Sequence, residues 1–225
     1  MVEMKEVCFS YGRRAILQGL TLTAAPGECV VLAGPNGSGK STALSVLAGV
    51  LRPGSGTVRV NGPVGYAPQG TGLFEDMTVE DNLAFFARLA GCRVPGALPF
   101  GVERYGRRRV SRLSVGMKKQ VSIACALLGD PMAVLLDEPC AALDMEYREE
   151  LAALIGGLKE RGRAVVYVGH EPMEFASFYD KLVFFGGEWA CYSRSELSGE
   201  PAEDSRLCDN FGKLFQGAKG KGADR

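Results

Sequence analysis

Nine residues constrain this chain more than any others: Gly34-Pro35-Asn36-Gly37-Ser38-Gly39-Lys40-Ser41-Thr42, set between the apolar run CVVLA and the helix-like run ALSVLAGV. Flexible residues between two rigid elements suit a backbone that must touch an anion, because glycine accepts positive φ and lets successive N–H groups turn inward around phosphate oxygens. The spacing GxxxxGK[ST], with a strand before and a helix after, is the phosphate-cradling loop pattern. The helix that follows from about Ser41 directs its positive end at the same phosphates. Lys40 then reaches the β and γ phosphates of a nucleotide, and the Ser41 hydroxyl ligates Mg²⁺. This motif alone specifies nucleotide binding and leaves kinases, GTPases and motors open.

A second site follows from Val134-Leu135-Leu136, which runs directly into Asp137-Glu138. A strand ending in two carboxylates beside a phosphate loop is a metal and water site, with Asp137 supporting Mg²⁺ and Glu138 polarising the attacking water. The continuous apolar runs AVLLD, AVVYVG and KLVFFG suit parallel strands covered on both faces. EVCFS, AILQGLTLTA and GTVRVNG, the first two split by a turn at Tyr11 to Arg14, suggest a small antiparallel sheet. Residues 78–91, opening on a Thr with a Glu nearby, and about 116–128 repeat apolar residues at helical spacing and predict an inserted helical lobe. The expected architecture is α/β, with a mostly parallel core, an antiparallel β subdomain and an inserted α-helical subdomain. A length of 225 residues suits one such unit.

Further motifs fall in a fixed order around these two, and with them the chain resembles the ATP-binding cassette (ABC) ATPases over roughly residues 1–193. GPNGSGKST resembles the Walker A motif and VLLDEP the Walker B motif. Leu113-Ser114-Val115-Gly116-Met117 stands in the place of the signature LSGGQ. Tyr66-Ala67-Pro68-Gln69 resembles the Q-loop, Ala142-Leu143-Asp144 the D-loop, and Val168-Gly169-His170-Glu171 the switch-histidine segment. The resemblance implies a RecA-like P-loop NTPase core with a helical subdomain over about 70–128. It implies that Tyr11 stacks on adenine, that Gln69 contacts Mg²⁺ or the lytic water, that Glu138 is the general base and that His170 senses the γ-phosphate. Ser114 and Gly116 would close over ATP held by a second subunit. Residues 194–225 form a tail, helical where Leu207, Phe211, Leu214 and Phe215 line one face and disordered over the last nine residues.

The departures from that pattern are specific. Val115 stands where the signature commonly has Gly and Met117 where it has Gln; either the backbone at Val115 is ordinary or the contact is weakened, and intact Ser114 and Gly116 favour the first. Ala141 replaces a commonly polar D-loop residue. Arg104, Arg107, Arg108, Arg109 and Arg112 read first as a solvated face, and Phe85-Phe86 as lobe core.

Lys+Arg and Asp+Glu both number 26, which speaks against a dedicated nucleic-acid binder. Seven cysteines without a CxxC pair, mostly in apolar segments, suggest buried thiols in a reducing compartment. The absence of a leader-like start or an 18-residue apolar run suggests a cytoplasmic chain, peripheral on the membrane. LFEDMTVEDNLAFFARLAG resembles the lobe of ABC-2 type exporters, in which residues after the Q-loop, here about Gly70 to Met77, receive a membrane permease. The implied function is therefore an ATPase subunit, homo- or heterodimeric, powering export with ATP and Mg²⁺. A soluble ABC-type ATPase and a low-turnover nucleotide-gated module stand as alternatives.

Overall fold

The computed structural model describes residues 1–140, 145–187, 189–198 and 204–221. It opens with β1 (Val2–Tyr11) and β2 (Arg14–Ala24), a hairpin whose last pair is Tyr11 with Arg14, and continues into β3 (Cys29–Ala33) and α1 (Lys40–Leu47). Next come β4 (Ser55–Val60), β5 (Val64–Ala67) and α2 (Val79–Leu89), then two 3-10 segments at Pro99–Tyr105 and Val110–Arg112 that lead into α3 (Val115–Ala126). The rest alternates: β6 (Ala133–Asp137), α4 (Met145–Glu160), β7 (Ala164–Val168), α5 (Pro172–Phe175), β8 (Lys181–Phe185), β9 (Trp189–Ser193), α6 (Arg194–Ser198) and α7 (Asp204–Lys221).

Two sheets result. An antiparallel sheet has the order β2-β1-β4, and a larger one the order β5-β6-β7-β3-β8-β9, parallel except for the antiparallel edge strand β9. Strands β3, β6 and β7 are buried along their whole length, as continuous apolarity requires of strands covered on both faces. One apolar cluster joins the face carrying Val31, Leu136 and Tyr167 to α4, α5 and α7; the other joins the face carrying Leu32, Leu135 and Val166 to α1 and the antiparallel sheet. Strands β5 and β9 carry too weak a pattern for the sequence to predict. The first is four residues between Pro63 and Pro68, and the second alternates Ala190, Cys191 and Tyr192 at an edge. Gly65 lets β5 sit against α3, because a Cβ there would run into the Ala126 carbonyl and Pro131.

A third apolar cluster, with Val79, Leu83, Val102, Val110, Val121 and Leu128, knits α2, α3 and the two 3-10 segments into the helical lobe. Thr78 caps α2 in a capping box closed by Asp81, not by the neighbouring Glu80. Phe86 packs on the lobe cluster, whereas Phe85 is 38% exposed and meets Phe74, itself 45% exposed, edge to face at 4.9 Å. The pair read as lobe core thus divides, because adjacent helical positions point about 100° apart. Leu207 and Phe211 of α7 are buried, and Phe211 and Phe215 meet Phe184 of β8 edge to face. Helix α7 continues to Lys221, into the stretch whose polar composition suggested disorder. Three of the seven cysteines are buried, Cys29, Cys125 and Cys140, while Cys191 is exposed. Among the described residues no helix is long and apolar enough to cross a membrane.

Candidate functional site

Strands β5, β6, β7 and β3 are neighbours in the parallel sheet, so the segments leaving their C-terminal ends meet at one edge. Gly34 follows β3, Gln69 follows β5 by two residues, Glu138 directly follows β6, and His170 follows β7 by two. Four stretches far apart in sequence converge because the strand order places their exits side by side.

The phosphate loop bends through Gly34, Gly37 and Gly39, all with positive φ. At Gly34 (φ 137°) a Cβ would lie 2.5 Å from the Phe185 carbonyl oxygen, so glycine is required by both conformation and space. Lys40 is buried, and its ammonium donates to the carbonyls of Gly34 (2.9 Å) and Pro35 (2.8 Å). Burial pulls its pKa down against the pull of the Glu138 and Asp137 carboxylates. Pro35, Asn36 and Gly37 are exposed, and Asn36, Gly37, Gly39, Lys40, Ser41 and Thr42 border a cleft of about 500 Å³ with Tyr11, Gln69 and Glu138. Ser38, half-buried, borders the adjoining cleft behind the loop, which is also lined by Trp189. Tyr11 is 54% exposed and braced edge-on by Phe9, which leaves a ring face open.

The Ser41 hydroxyl donates to Asp137 at 3.1 Å. Asp137 is buried, and burial, with the nearby Glu138 carboxylate adding to it, raises its pKa. A hydroxyl and a carboxylate side by side are the hard oxygen donors that Mg²⁺ takes, so this pair fits the metal. Glu138 adopts a left-handed conformation (φ 46°), a costly one for a residue with a Cβ. Its carboxylate is held at both oxygens: Gln69 Nε2 donates to Oε2 at 3.0 Å, and His170 Nε2 lies 2.7 Å from Oε1. The backbone N–H of His170 donates to the Glu174 carboxylate at 3.3 Å, and burial raises the Glu174 pKa.

The structure thus brings Gln69, Asp137, Glu138 and His170 to the phosphate loop. Ser114 and Gly116 are not among the residues bordering that cleft. They lie at the exposed start of α3, where the Ser114 hydroxyl caps the helix by accepting from Met117 N–H. Val115, 70% exposed, is an ordinary helical residue without positive φ, which settles the backbone question its presence raised. Ala141, Ala142, Leu143 and Asp144 lie outside the described residues. The five arginines before α3 are exposed, and among the described residues none forms an ion pair; Arg104 lies over the Tyr105 ring.

Three contributors escape a sequence reading. Arg14 and Ile16 border the cleft because the tight hairpin folds them back beside Tyr11. Lys119 is buried within α3 and donates to the carbonyls of Pro68 (2.8 Å), Gln69 (3.2 Å) and Asp137 (2.9 Å). Burial brings its pKa down to about 8, although the Asp137 and Glu138 carboxylates oppose the shift. The only signal for Lys119 is its i, i+4 spacing from buried Ile123, which charge masks.

The family model described as ABC transporter matches residues 17–141. Nod factor export ATP-binding protein I of Paraburkholderia xenovorans (strain LB400) is 38% identical over 189 residues, covering 75% of this chain and 62% of that protein. The protein of the same name from Rhizobium meliloti (strain 1021) is 33% identical over 201 residues, covering 80% of this chain and 60% of its own length. The chain therefore spans about 60% of the length of these curated relatives. A solved structure described as the ATP-binding subunit of an ABC transporter aligns with a TM-score of 0.82 at 25% identity, over 95% of this chain and 99% of that one. A dimeric bacterial ABC transporter cassette aligns at 0.69 with 26% identity, over 82% of this chain and 94% of the other.

Proposed function

The chain belongs to the ABC transporter family, and on that footing we propose that it is an ATP-hydrolysing subunit that drives export through a separate membrane permease. The observation that carries hydrolysis is the Glu138 carboxylate, oriented at both oxygens by Gln69 and His170 next to the Ser41–Asp137 pair. A carboxylate so placed takes a proton from an attacking water, and His170 holds the departing charge in place. Lys40 exchanges its loop carbonyls for β and γ phosphate oxygens, while Tyr11 stacks on the base. Ser41 and Asp137 would hold Mg²⁺, which neutralises charge on the phosphate oxygens.

Further phosphate contacts would come from a second molecule. Ser114 and Gly116 at the positive end of α3 do not border the cleft of their own loop, and in this reading they close over ATP bound to a second copy or a paralogous partner. ATP then holds two subunits together, and its hydrolysis releases them.

The names of the relatives support export, and a permease partner is supported by a groove of about 510 Å³ between β5 and the helical lobe, lined by Tyr66, Leu73, Phe86, Leu89 and Cys125. Phe74 and Phe85 stand exposed beside it, and the backbone of Phe74 is held by buried Asn82, which accepts from Phe74 N–H and donates to the Phe74 and Thr78 carbonyls. An apolar groove next to Gln69 suits a short helix of the permease, and in this reading the subunit works at the cytoplasmic face of the membrane. Two measurements test the reading. The purified chain should hydrolyse Mg-ATP, while Glu138→Gln should bind ATP without turnover and accumulate as a dimer in size exclusion. Recovery from detergent extracts should bring a multi-span protein; a wild type no faster than Glu138→Gln with that partner present would refute hydrolysis.

A further inference from the structure

A buried lysine with no carboxylate partner is an unfavourable use of a charge, and Lys119 is such a residue among the described ones. Its ammonium has three N–H donors and meets three carbonyl oxygens, so its hydrogen-bonding capacity is filled. The recipients are not scattered. Two belong to Pro68 and Gln69, the segment that presents the Gln69 side chain. The third belongs to Asp137, whose peptide bond leads into Glu138, the residue with a left-handed backbone. One turn further along α3, the Ser122 hydroxyl donates to the Thr71 carbonyl at 2.6 Å, a second tie to the first of these segments.

We propose that Lys119 is a positioning residue that locks the carbonyls behind Gln69 and Glu138 to helix α3, so that the helix bearing Ser114 and Gly116 and the two catalytic side chains move as one body. This rests on the hydrolytic reading of the site. The logic is geometric. A peptide plane fixed at its carbonyl oxygen fixes the direction in which the next residue leaves it. At Asp137 that fixation opposes relaxation of Glu138 out of its left-handed conformation, and the Gln69 carbonyl is held by the same charge. Any displacement of the start of α3, whether by a second subunit or by the neighbouring groove, therefore reaches both the water-activating carboxylate of Glu138 and the Gln69 side chain that grips it.

Lys119→Met keeps the stem and removes the donors. In the full-length chain it should lower kcat for ATP about tenfold to a hundredfold, the range expected when a catalytic group is misplaced by a fraction of an ångström to an ångström. KM should stay within about twofold, since no phosphate contact is touched. Hydrogen exchange supplies a readout independent of turnover. Backbone amides in 66–73 and 138–140 should both exchange faster in Lys119→Met, whereas Ser122→Ala should speed exchange only near Thr71 and leave kcat within about twofold. Should Lys119→Met fail to fold, Lys119→Gln, whose amide offers only two donors on a shorter stem for three carbonyls, should still speed exchange in at least one of the two segments. Unchanged exchange in both segments overturns the proposal, as does a raised KM with unchanged kcat. A wild type that hydrolyses no ATP would sink the proposed function alone, and the exchange experiment would still decide whether Lys119 holds the two segments.

Discussion

The phosphate loop and the start of α3 are built on opposite principles. Around the phosphate loop the cation, the metal-facing pair and the water-activating carboxylate are engaged within the chain: Lys40 on two carbonyls, Ser41 on Asp137, and Glu138 between Gln69 and His170. At the start of α3, Ser114 satisfies only a helix cap, Val115 stands 70% exposed, and five arginines just upstream have no acidic partner among the described residues. The first region is organised by the sheet beneath it. The second, in the function proposed above, is one face of an interface whose other face belongs to another molecule. Damage to the first should therefore appear in the isolated subunit, and damage to the second only when two subunits meet.

The largest effect should come from Lys40→Ala, which removes the only cation buried in the loop; ATP turnover should fall about a hundredfold to a thousandfold, measured by phosphate release. Ser114→Glu should come next. A carboxylate facing phosphates across the interface costs several kcal/mol, about a hundredfold or more in ATP-driven dimerisation, while ATP binding to the monomer stays unchanged in equilibrium dialysis. Equal loss in monomer binding would erase the distinction between the two regions. Gly65→Val attacks the join between them, where β5 meets α3; overpacking of about 1–3 kcal/mol should lower the midpoint of thermal unfolding. Thr78→Ala removes the cap of α2 and should cost about 1 kcal/mol, read in the same unfolding experiment. Val115→Gly should be smallest, about 0.5–1 kcal/mol of helix stability. A large gain in turnover from it would mean that Val115 restrains the signature after all.

The phosphate loop and the acidic strand end were legible because their chemistry demands particular residue types at a particular spacing, and the sheet order then explains why they meet. The buried parallel strands were legible from unbroken apolar runs. Strands β5 and β9 were not, since one is squeezed between prolines and the other has an edge strand's mixed pattern. Helical periodicity placed Phe85 in the core by association with Phe86, although only a three-dimensional lobe decides which of two adjacent rings is inside. Lys119 was invisible for a deeper reason: composition rules assign a lysine to the surface, and only the meeting of three carbonyl groups from two distant loops provides it with a place inside.

The grip of Lys40 on its own loop bears on selectivity. An ammonium already resting against two backbone oxygens, with the Glu138 and Asp137 carboxylates favouring its charged form, is well held in its buried setting. A small anion offering a single weak contact gains little by drawing it away. A polyphosphate that meets the amide cradle along its length and offers several oxygens together can complete the exchange, so the loop discriminates by the number of simultaneous contacts as much as by charge.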